Sequence, residues 1–177
     1  MRKLMALAIV VVMALTASVA SAQVTKETVP GIANFSRVET TIACAGATSP
    51  AAVASVKGMG YKSIINLRQP SEAGADVEAE EAAAKAASIT YISLPFNAAS
   101  PDPALVDRFI AAVTAPPNQP VFVHCASANR ASALWMIKRM TVDGWDADRA
   151  TTEATALGLT SAALKSFALD YAAAHKK

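Results

Sequence analysis

Only two histidines and two cysteines occur in the 177 residues of the chain: His124, His175, Cys44 and Cys125. Because the histidines stand far apart in sequence and no cluster of acidic residues accompanies them, the chain is not expected to bind a structural or catalytic metal. No other cofactor is expected. Two cysteines cannot build the dense disulfide framework of a small secreted domain, although they can form a single bridge.

An excess of one charge is also missing. The chain has 16 lysines and arginines against 14 aspartates and glutamates, and Arg2 and Lys3 at the start account for the difference. Only 6% of the residues are aromatic, and no basic stripe with interleaved aromatic side chains occurs. Such a stripe is typical of nucleic-acid binding. Nucleic acid is therefore excluded as an expected partner.

Long apolar runs are missing except at the start, where residues 4–15 are almost wholly apolar. This run follows two basic residues and precedes the small residues of 19–22, an arrangement typical of a cleaved secretory signal peptide. We therefore predict a signal peptide over residues 1–22 and a mature chain that begins at Gln23. The alternative is an uncleaved N-terminal anchor, because a segment of about 19 residues just spans a bilayer.

Glutamine at position 23 argues against a lipoprotein, which needs a cysteine there. The mature chain, residues 23–177, has the size of one ordinary domain. We expect a single domain in the periplasm or outside the cell, with no stable membrane association after signal cleavage.

Strand and helix patterns alternate along the mature chain. Short β-branched or apolar segments at 62–67, 89–94 and 121–123 are typical of buried strands, and one or two further strands are expected within 35–43. Helical patterns cover 50–59, 75–87, 103–113, 130–140, 145–157 and 161–174. The alternation predicts a three-layer α/β sandwich, with a mostly parallel sheet of four or five strands and helices on both faces.

The strand at 121–123 leads into Cys125, a short run of small and polar residues, Arg130 and a helix. A tight turn into a helix N-terminus gathers backbone amides around an anion. The same positive potential stabilises a thiolate at its base, and a guanidinium offers a planar fork of donors to a tetrahedral oxyanion. Cys125 is thus a candidate nucleophile for phosphoryl or sulfane-sulfur transfer, with Arg130 as the anion ligand. The alternative is a buried structural cysteine at a strand end.

The other residues of this loop are candidates for substrate binding. Small side chains let the backbone curl tightly, and two hydroxyls can donate to an anion or to the sulfur. The candidates are Ala126, Ser127, Ala128, Asn129 and Ser132. His124 is expected to shape the loop by hydrogen bonding and to point away from the cavity.

The segment VHCASANRAS, residues 123–132, resembles the catalytic loop of cysteine-dependent protein phosphatases. The segments TIACAG, GYKSIINLRQPSE, ITYISLP and GWDADRATTEATALGL follow the order seen in compact dual-specificity phosphatases. Over residues 33–160 the chain is most similar to the beta-lactamase-hydrolase-like phosphatase domain. The resemblance implies the dual-specificity-phosphatase arrangement of the α/β sandwich. It also implies a hydrolase that acts on phosphorylated or other anionic substrates through a cysteinyl-phosphate.

The loop departs from the general phosphatase pattern in two respects. Four residues separate Cys125 from Arg130 where the pattern has five, and this shorter spacing resembles the active loop of single-domain rhodaneses. Ala128 replaces the usual glycine, which costs roughly 1 kcal/mol if the position requires a positive φ. Two alternatives therefore remain: a sulfurtransferase with a persulfide on Cys125, and a non-catalytic module that binds an anion or a phosphoprotein.

Three residues outside the loop complete the candidate site. Asp102 is the candidate general acid for the leaving group, or else an ordinary N-cap before a proline. Arg68 follows another strand end and adds positive potential at the same rim, held by Glu72; the alternative is a surface salt bridge between those two. Cys44 ends an early strand and is a candidate resolving thiol for Cys125. Its alternatives are a buried free cysteine and a permanent disulfide with Cys125.

Overall fold

The computed structural model describes residues 24–175. The predicted signal peptide, residues 1–22, and the predicted mature start at Gln23 lie outside the described residues. The strands are β1 (Thr25–Lys26), β2 (Ser36–Val38), β3 (Ile42–Ala45), β4 (Ser63–Asn66), β5 (Thr90–Ser93) and β6 (Val121–His124). The helices are α1 (Val53–Gly58), α2 (Val77–Ala86), α3 (Pro103–Thr114), α4 (Asn129–Thr141), α5 (Ala147–Leu157) and α6 (Ala162–Ala174).

One sheet joins all these strands in the order β1-β2-β3-β6-β4-β5. Strands β3, β6, β4 and β5 are parallel to one another, whereas β2 pairs antiparallel with both β3 and β1, the strand at one edge of the sheet. The predicted α/β class is confirmed, but the sheet has six strands and not four or five. The extra strand, β1, has two exposed residues and no apolar alternation, so the sequence carries no strand pattern there.

Helices cover both faces of the sheet, as predicted. On one face, α1 and α2 pack on a cluster that includes Phe35, Ile64 and Phe122. On the other face, α3 to α6 pack on a larger cluster that includes Ile65 and Val123. Burial on both faces explains why the central parallel strands have continuous apolar stretches and not an alternating pattern.

The carboxyl ends of β3, β4 and β6 meet at one edge of the sheet. His124, the last residue of β6, pairs in register with Ala45 of β3 and Asn66 of β4. The residues that follow these strands, including Cys125 and Arg68, are therefore brought to the same edge. Within residues 24–175, no helix combines the length and apolar character needed to cross a membrane.

Candidate active site

Cys125 directly follows the central strand β6 and opens the loop that leads into α4. Its amide donates to the Ala45 carbonyl at 3.2 Å, and the amide of Ala47 donates to Ala126 O at 2.9 Å. The first half of the loop is thus held by the backbone that continues from β3. Cys125 is fully buried and packs within the cluster under α3 to α6, whereas Ala126 and Ser127 are exposed. The thiol is therefore covered in this structure, and a substrate reaches the sulfur only if the groups around it move.

The loop presents backbone amides that are not used elsewhere. The amides of Ala126, Ser127, Asn129 and Arg130 donate to no other group in the part of the chain that the structure describes. Ala128 has a left-handed conformation with a φ of 72°, which alternates with helical residues in the amide nests that bind anions. The position at which alanine replaces the usual glycine thus has a positive φ, so the condition for a cost of roughly 1 kcal/mol relative to glycine is met.

Arg130 turns inward and joins the ends of two other strands. Its Nη1 donates to the carbonyls of Leu67 and Phe96, each at 3.0 Å, and its Nη2 donates to Glu72 Oε2 at 2.7 Å. Although burial lowers the pKa of Arg130, the hydrogen bond to Glu72 and the negative charge of a Cys125 thiolate raise it above its usual value. The guanidinium therefore stays charged beside the sulfur.

Glu72 is the carboxylate that holds Arg130, although the sequence suggested it only as a partner of Arg68. It accepts from the guanidinium of Arg130 and from the amide of Gln69 at 2.7 Å. Burial raises the pKa of Glu72, but the hydrogen bonds from Arg130 and Gln69 and the charge of Arg130 bring it down to about 2. Glu72 is thus ionised at neutral pH.

Arg68 pairs with Glu72, as both sequence-based alternatives expected. Because Arg68 is buried, this pair does not lie at the surface. Its guanidinium donates to the carbonyls of Ala73 at 2.7 Å and Gly74 at 2.8 Å, and its Nε lies 3.4 Å from Glu72 Oε2. Arg68 therefore holds the turn that brings Glu72 to Arg130, and its donors are used by that turn.

Three other candidates use their side chains within the protein. Asp102 is exposed and caps α3, where its Oδ1 accepts from Ala104 N at 2.9 Å; its role as general acid stays a prediction. Ser132 is buried and donates to the Ala128 carbonyl at 2.9 Å, so its hydroxyl is not aimed at an anion. The side chain of Asn129 binds the α5–α6 connection and Ser127, and its role in substrate binding stays a prediction.

His124 lies on the α1–α2 face of the sheet, away from Cys125, as expected. It is fully buried, stacks on Phe122 at a centroid distance of 5.7 Å, and has its Nε2 2.8 Å from Glu80 Oε1. The contact lacks hydrogen-bond geometry, and neither ring nitrogen has a hydrogen-bond partner among the described residues, so the expected hydrogen bond from His124 to the loop is not present. The other Glu80 oxygen accepts from Asn66 Nδ2 at 3.1 Å and Tyr91 Oη at 3.3 Å. This polar cluster surrounds the side chain of His124, the residue that precedes the candidate nucleophile Cys125.

Glu80 was missed because α2 has the composition of a solvent-exposed helix. It nevertheless lies on the buried face of α2 together with Ala84, four residues later. Glu80 lies four residues from Ala84, on the side of the helix that the small apolar residues share, and this spacing was the signal in the sequence. Such a group stays buried only where other polar groups receive it.

Cys44 and Cys125 are both buried and both free, so the structure contains no permanent disulfide between them. Cys44 pairs in register with Val123, two residues before Cys125, which places the two Cα atoms about 8 Å apart from ordinary strand spacings. A disulfide needs less than about 7 Å. Burial, with a contribution from Cys125, also raises the pKa of the Cys44 thiol far above its usual value. A resolving role for Cys44 therefore requires movement of the backbone, and it stays a prediction.

An open cleft of about 600 Å³ borders the cysteine loop. One wall comes from residues of the β1–β2 region and the other from the connection between α5 and α6. Most of its lining residues are polar: Lys26, Glu27, Thr28, Ile32, Asn34, Phe35, Ser36, Ser127, Asn129, Leu157, Gly158 and Thr160. The cleft meets the cysteine loop at Ser127 and Asn129. Among residues 24–175, no group of three or more His, Cys, Asp or Glu side chains is placed to hold a metal ion.

The fold is an α/β sandwich in which a cysteine follows a central parallel strand. The next helix brings an arginine close to the sulfur. Together these features define the class of cysteine-based phosphatase-like proteins. Residues 34–142 match the family described as beta-lactamase hydrolase-like protein, phosphatase-like domain. Because the match covers more than half of the chain, the chain belongs to this family, as the sequence predicted. No curated protein matches the chain.

Solved structures share the fold at low sequence identity. A DUF442 protein from Shewanella putrefaciens superposes with a TM-score of 0.69 at 20% identity, covering 83% of this chain and 96% of that one. TpbA from P. aeruginosa gives 0.65 at 24% identity, covering 90% and 92%, and TpbA has also been solved in complex with pTyr. The catalytic domain of the PP-IP phosphatase SIW14 from S. cerevisiae, in complex with citrate, gives 0.66 at 19% identity, covering 80% and 87%. These similarities confirm the predicted dual-specificity-phosphatase-like fold.

Proposed function

We propose that the protein hydrolyses phosphate monoesters through a cysteinyl-phosphate on Cys125. The observations that carry the proposal are the unused amides of the loop that begins at Cys125 and the inward guanidinium of Arg130 at the end of the same loop. Amide dipoles and a fixed cation are the groups that stabilise the charge of a transferring phosphoryl group. Membership in the phosphatase-like family and the complex of TpbA with pTyr support the same reaction class.

The reaction balances in two steps. The Cys125 thiolate attacks phosphorus, the bond from phosphorus to the ester oxygen breaks, and the leaving oxygen takes a proton from Asp102. Water then attacks the phosphorus, the sulfur–phosphorus bond breaks, and Asp102 takes the proton as inorganic phosphate and the thiolate are released. Arg130 and the loop amides bind the equatorial oxygens in both steps.

Replacing Cys125 with serine is expected to abolish turnover of p-nitrophenyl phosphate by the mature protein, because a serine hydroxyl here has no adjacent base to activate it. The assay is release of nitrophenol, and Cys44→Ala, the matched change at the other buried cysteine, is expected to keep activity. Sulfur transfer from thiosulfate to cyanide without ester turnover would contradict the proposal in favour of the sulfurtransferase. Tungstate binding that persists in Cys125→Ser, with no wild-type turnover, would favour a non-catalytic anion-binding module.

We further propose that the protein is exported and cleaved before Gln23, on the basis of the apolar run at 4–15 and the small residues at 19–22. Protein recovered from the periplasm or the medium is expected to begin at Gln23 when its N-terminus is sequenced. Recovery with the membranes and an intact segment 1–22 would support the uncleaved anchor instead.

A further inference from the structure

Asn129 connects the cysteine loop to the segment between α5 and α6. Its Oδ1 accepts from the amides of Thr160 at 2.7 Å and Ser161 at 2.8 Å, and from the Thr160 hydroxyl at 3.2 Å. Its Nδ2 donates to Ser127 Oγ at 3.2 Å. The Asn129 side chain thus accepts hydrogen bonds from the α5–α6 connection through Oδ1 and donates one to the loop through Nδ2.

The same two segments also fit closely at Ala128. Gly158, which ends α5 with a φ of 115°, faces this residue so tightly that a Cβ built on the glycine would lie 3.2 Å from Ala128 Cβ. Ala128 is fully buried although its neighbour Ser127 is exposed. The α5–α6 connection therefore covers the part of the loop that has the strained backbone.

The two halves of the loop are held by different parts of the fold. Backbone hydrogen bonds to the continuation of β3 fix Cys125 and Ala126. Backbone contacts with the continuation of β3 reach as far as Ser127, which forms an isolated bridge with Gly46 and whose carbonyl lies 3.5 Å from Asn34 Nδ2. Beyond Ser127, Ser132 binds the Ala128 carbonyl and Asn129 makes the contacts to the α5–α6 connection. The parallel amide dipoles of the second half repel one another, and a left-handed alanine is strained. Something must therefore hold this half in its curled shape, and Asn129 is placed to do so.

We propose that Asn129 is a positioning residue for the active site. It holds residues 127–129 in the conformation in which their amides converge, with the α5–α6 connection as its support. This inference rests on the proposed function for its consequence in turnover, but the conformation of the loop can be measured without any substrate. Because misplacing a catalytic group by about 1 Å can cost roughly 100-fold in rate, the effect is expected in kcat more than in KM.

Asn129→Ala and Asn118→Ala form a matched pair for the test. Asn118 also ties a connection through its amide, which donates to the Ala112 carbonyl at 2.8 Å, but it precedes β6 at the end of the strand opposite Cys125. Asn129→Ala is expected to lower the melting temperature more than Asn118→Ala, because the Asn129 side chain makes four hydrogen bonds and the Asn118 side chain makes one. Asn129→Ala is expected to lower kcat for p-nitrophenyl phosphate roughly 10- to 100-fold, whereas Asn118→Ala keeps kcat within about twofold.

The rate at which iodoacetamide alkylates Cys125 at fixed pH, followed by mass spectrometry of the labelled peptide, tests the inference without turnover. We expect this rate to change at least severalfold in Asn129→Ala and to stay at the wild-type value in Asn118→Ala. Asn129→Asp is expected to restore the melting temperature, because its carboxylate accepts the same three donors, but to weaken tungstate binding, because it adds negative charge beside the amides.

An alkylation rate in Asn129→Ala equal to that of the wild type would overturn the positioning role. Equal losses of kcat in Asn129→Ala and Asn118→Ala would do the same, because they would reduce the effect to general destabilisation. Absence of ester turnover in the wild-type protein would instead contradict the proposed function, and the alkylation measurement would still decide the role of Asn129.

Discussion

Replacing Arg130 with lysine is expected to lower kcat/KM for a phosphate ester by roughly 10²- to 10³-fold, the usual loss when a preorganised donor to the transition state is removed. The guanidinium donates at once to Leu67 O, Phe96 O and Glu72 and still has N–H groups for an anion. An ammonium has only three protons on a single nitrogen and cannot serve all these partners and a phosphoryl group. A lysine with the same positive charge therefore does not replace the planar set of guanidinium donors.

Arg149→Lys is the control for the chemical change itself. Arg149 stacks on the Trp145 ring at 3.5 Å near the start of α5 and has no place in the site. Steady-state kinetics with p-nitrophenyl phosphate should leave this variant close to wild type. If Arg130→Lys retained most of its kcat/KM, Arg130 would be a structural residue of the β4 and β5 ends and not an anion ligand.

The core of the fold was predictable because the buried parallel strands have apolar sequence patterns, and the folded protein keeps these segments as strands. The apolar run before Cys125 became β6, and the helix after it begins at Asn129, one residue before the predicted start. Strand β1 was not predictable. It is defined by two backbone pairs with β2, Thr25 with Arg37 and Lys26 with Ser36, and backbone pairing at an exposed edge places no demand on side chains.

The candidate site was predictable only as far as local sequence determines it. The strand–loop–helix unit fixes Cys125, the loop amides and the position of Arg130 within six consecutive residues. The partner of Arg130, Glu72, lies 58 residues away, and no local rule brings the two together. Ser132 was predicted as a ligand from its hydroxyl group, but the hydroxyl donates to the Ala128 carbonyl, because the direction of a side chain in the first turns of a helix depends on its packing partners.

A second large effect is expected on stability when Glu153 is replaced with alanine, a loss of about 3–5 kcal/mol, as when one partner of a buried ion pair is removed. Glu153 is almost fully buried, and its oxygens accept from Arg139 Nε at 2.7 Å and from Trp135 Nε1 at 2.7 Å. Its removal leaves a buried cation and a buried indole N–H without this partner. Arg139 keeps contacts with Asp143 and Glu39, which limits the loss. Urea unfolding followed by tryptophan fluorescence measures it.

Glu27→Ala provides the comparison, because Glu27 pairs with Arg37 at a similar 3.0 Å but with both side chains partly exposed. Its loss is expected to cost no more than about 1 kcal/mol, because water competes for exposed ion pairs. Equal effects of the two substitutions would show that burial does not decide the strength of these pairs here.

Glu153 also connects α5 to α4, and α5 ends at the connection to which Asn129 is hydrogen-bonded. A Glu153→Ala protein that still folds should therefore lose activity at temperatures below its melting point, because the support of the cysteine loop loosens before the sheet unfolds.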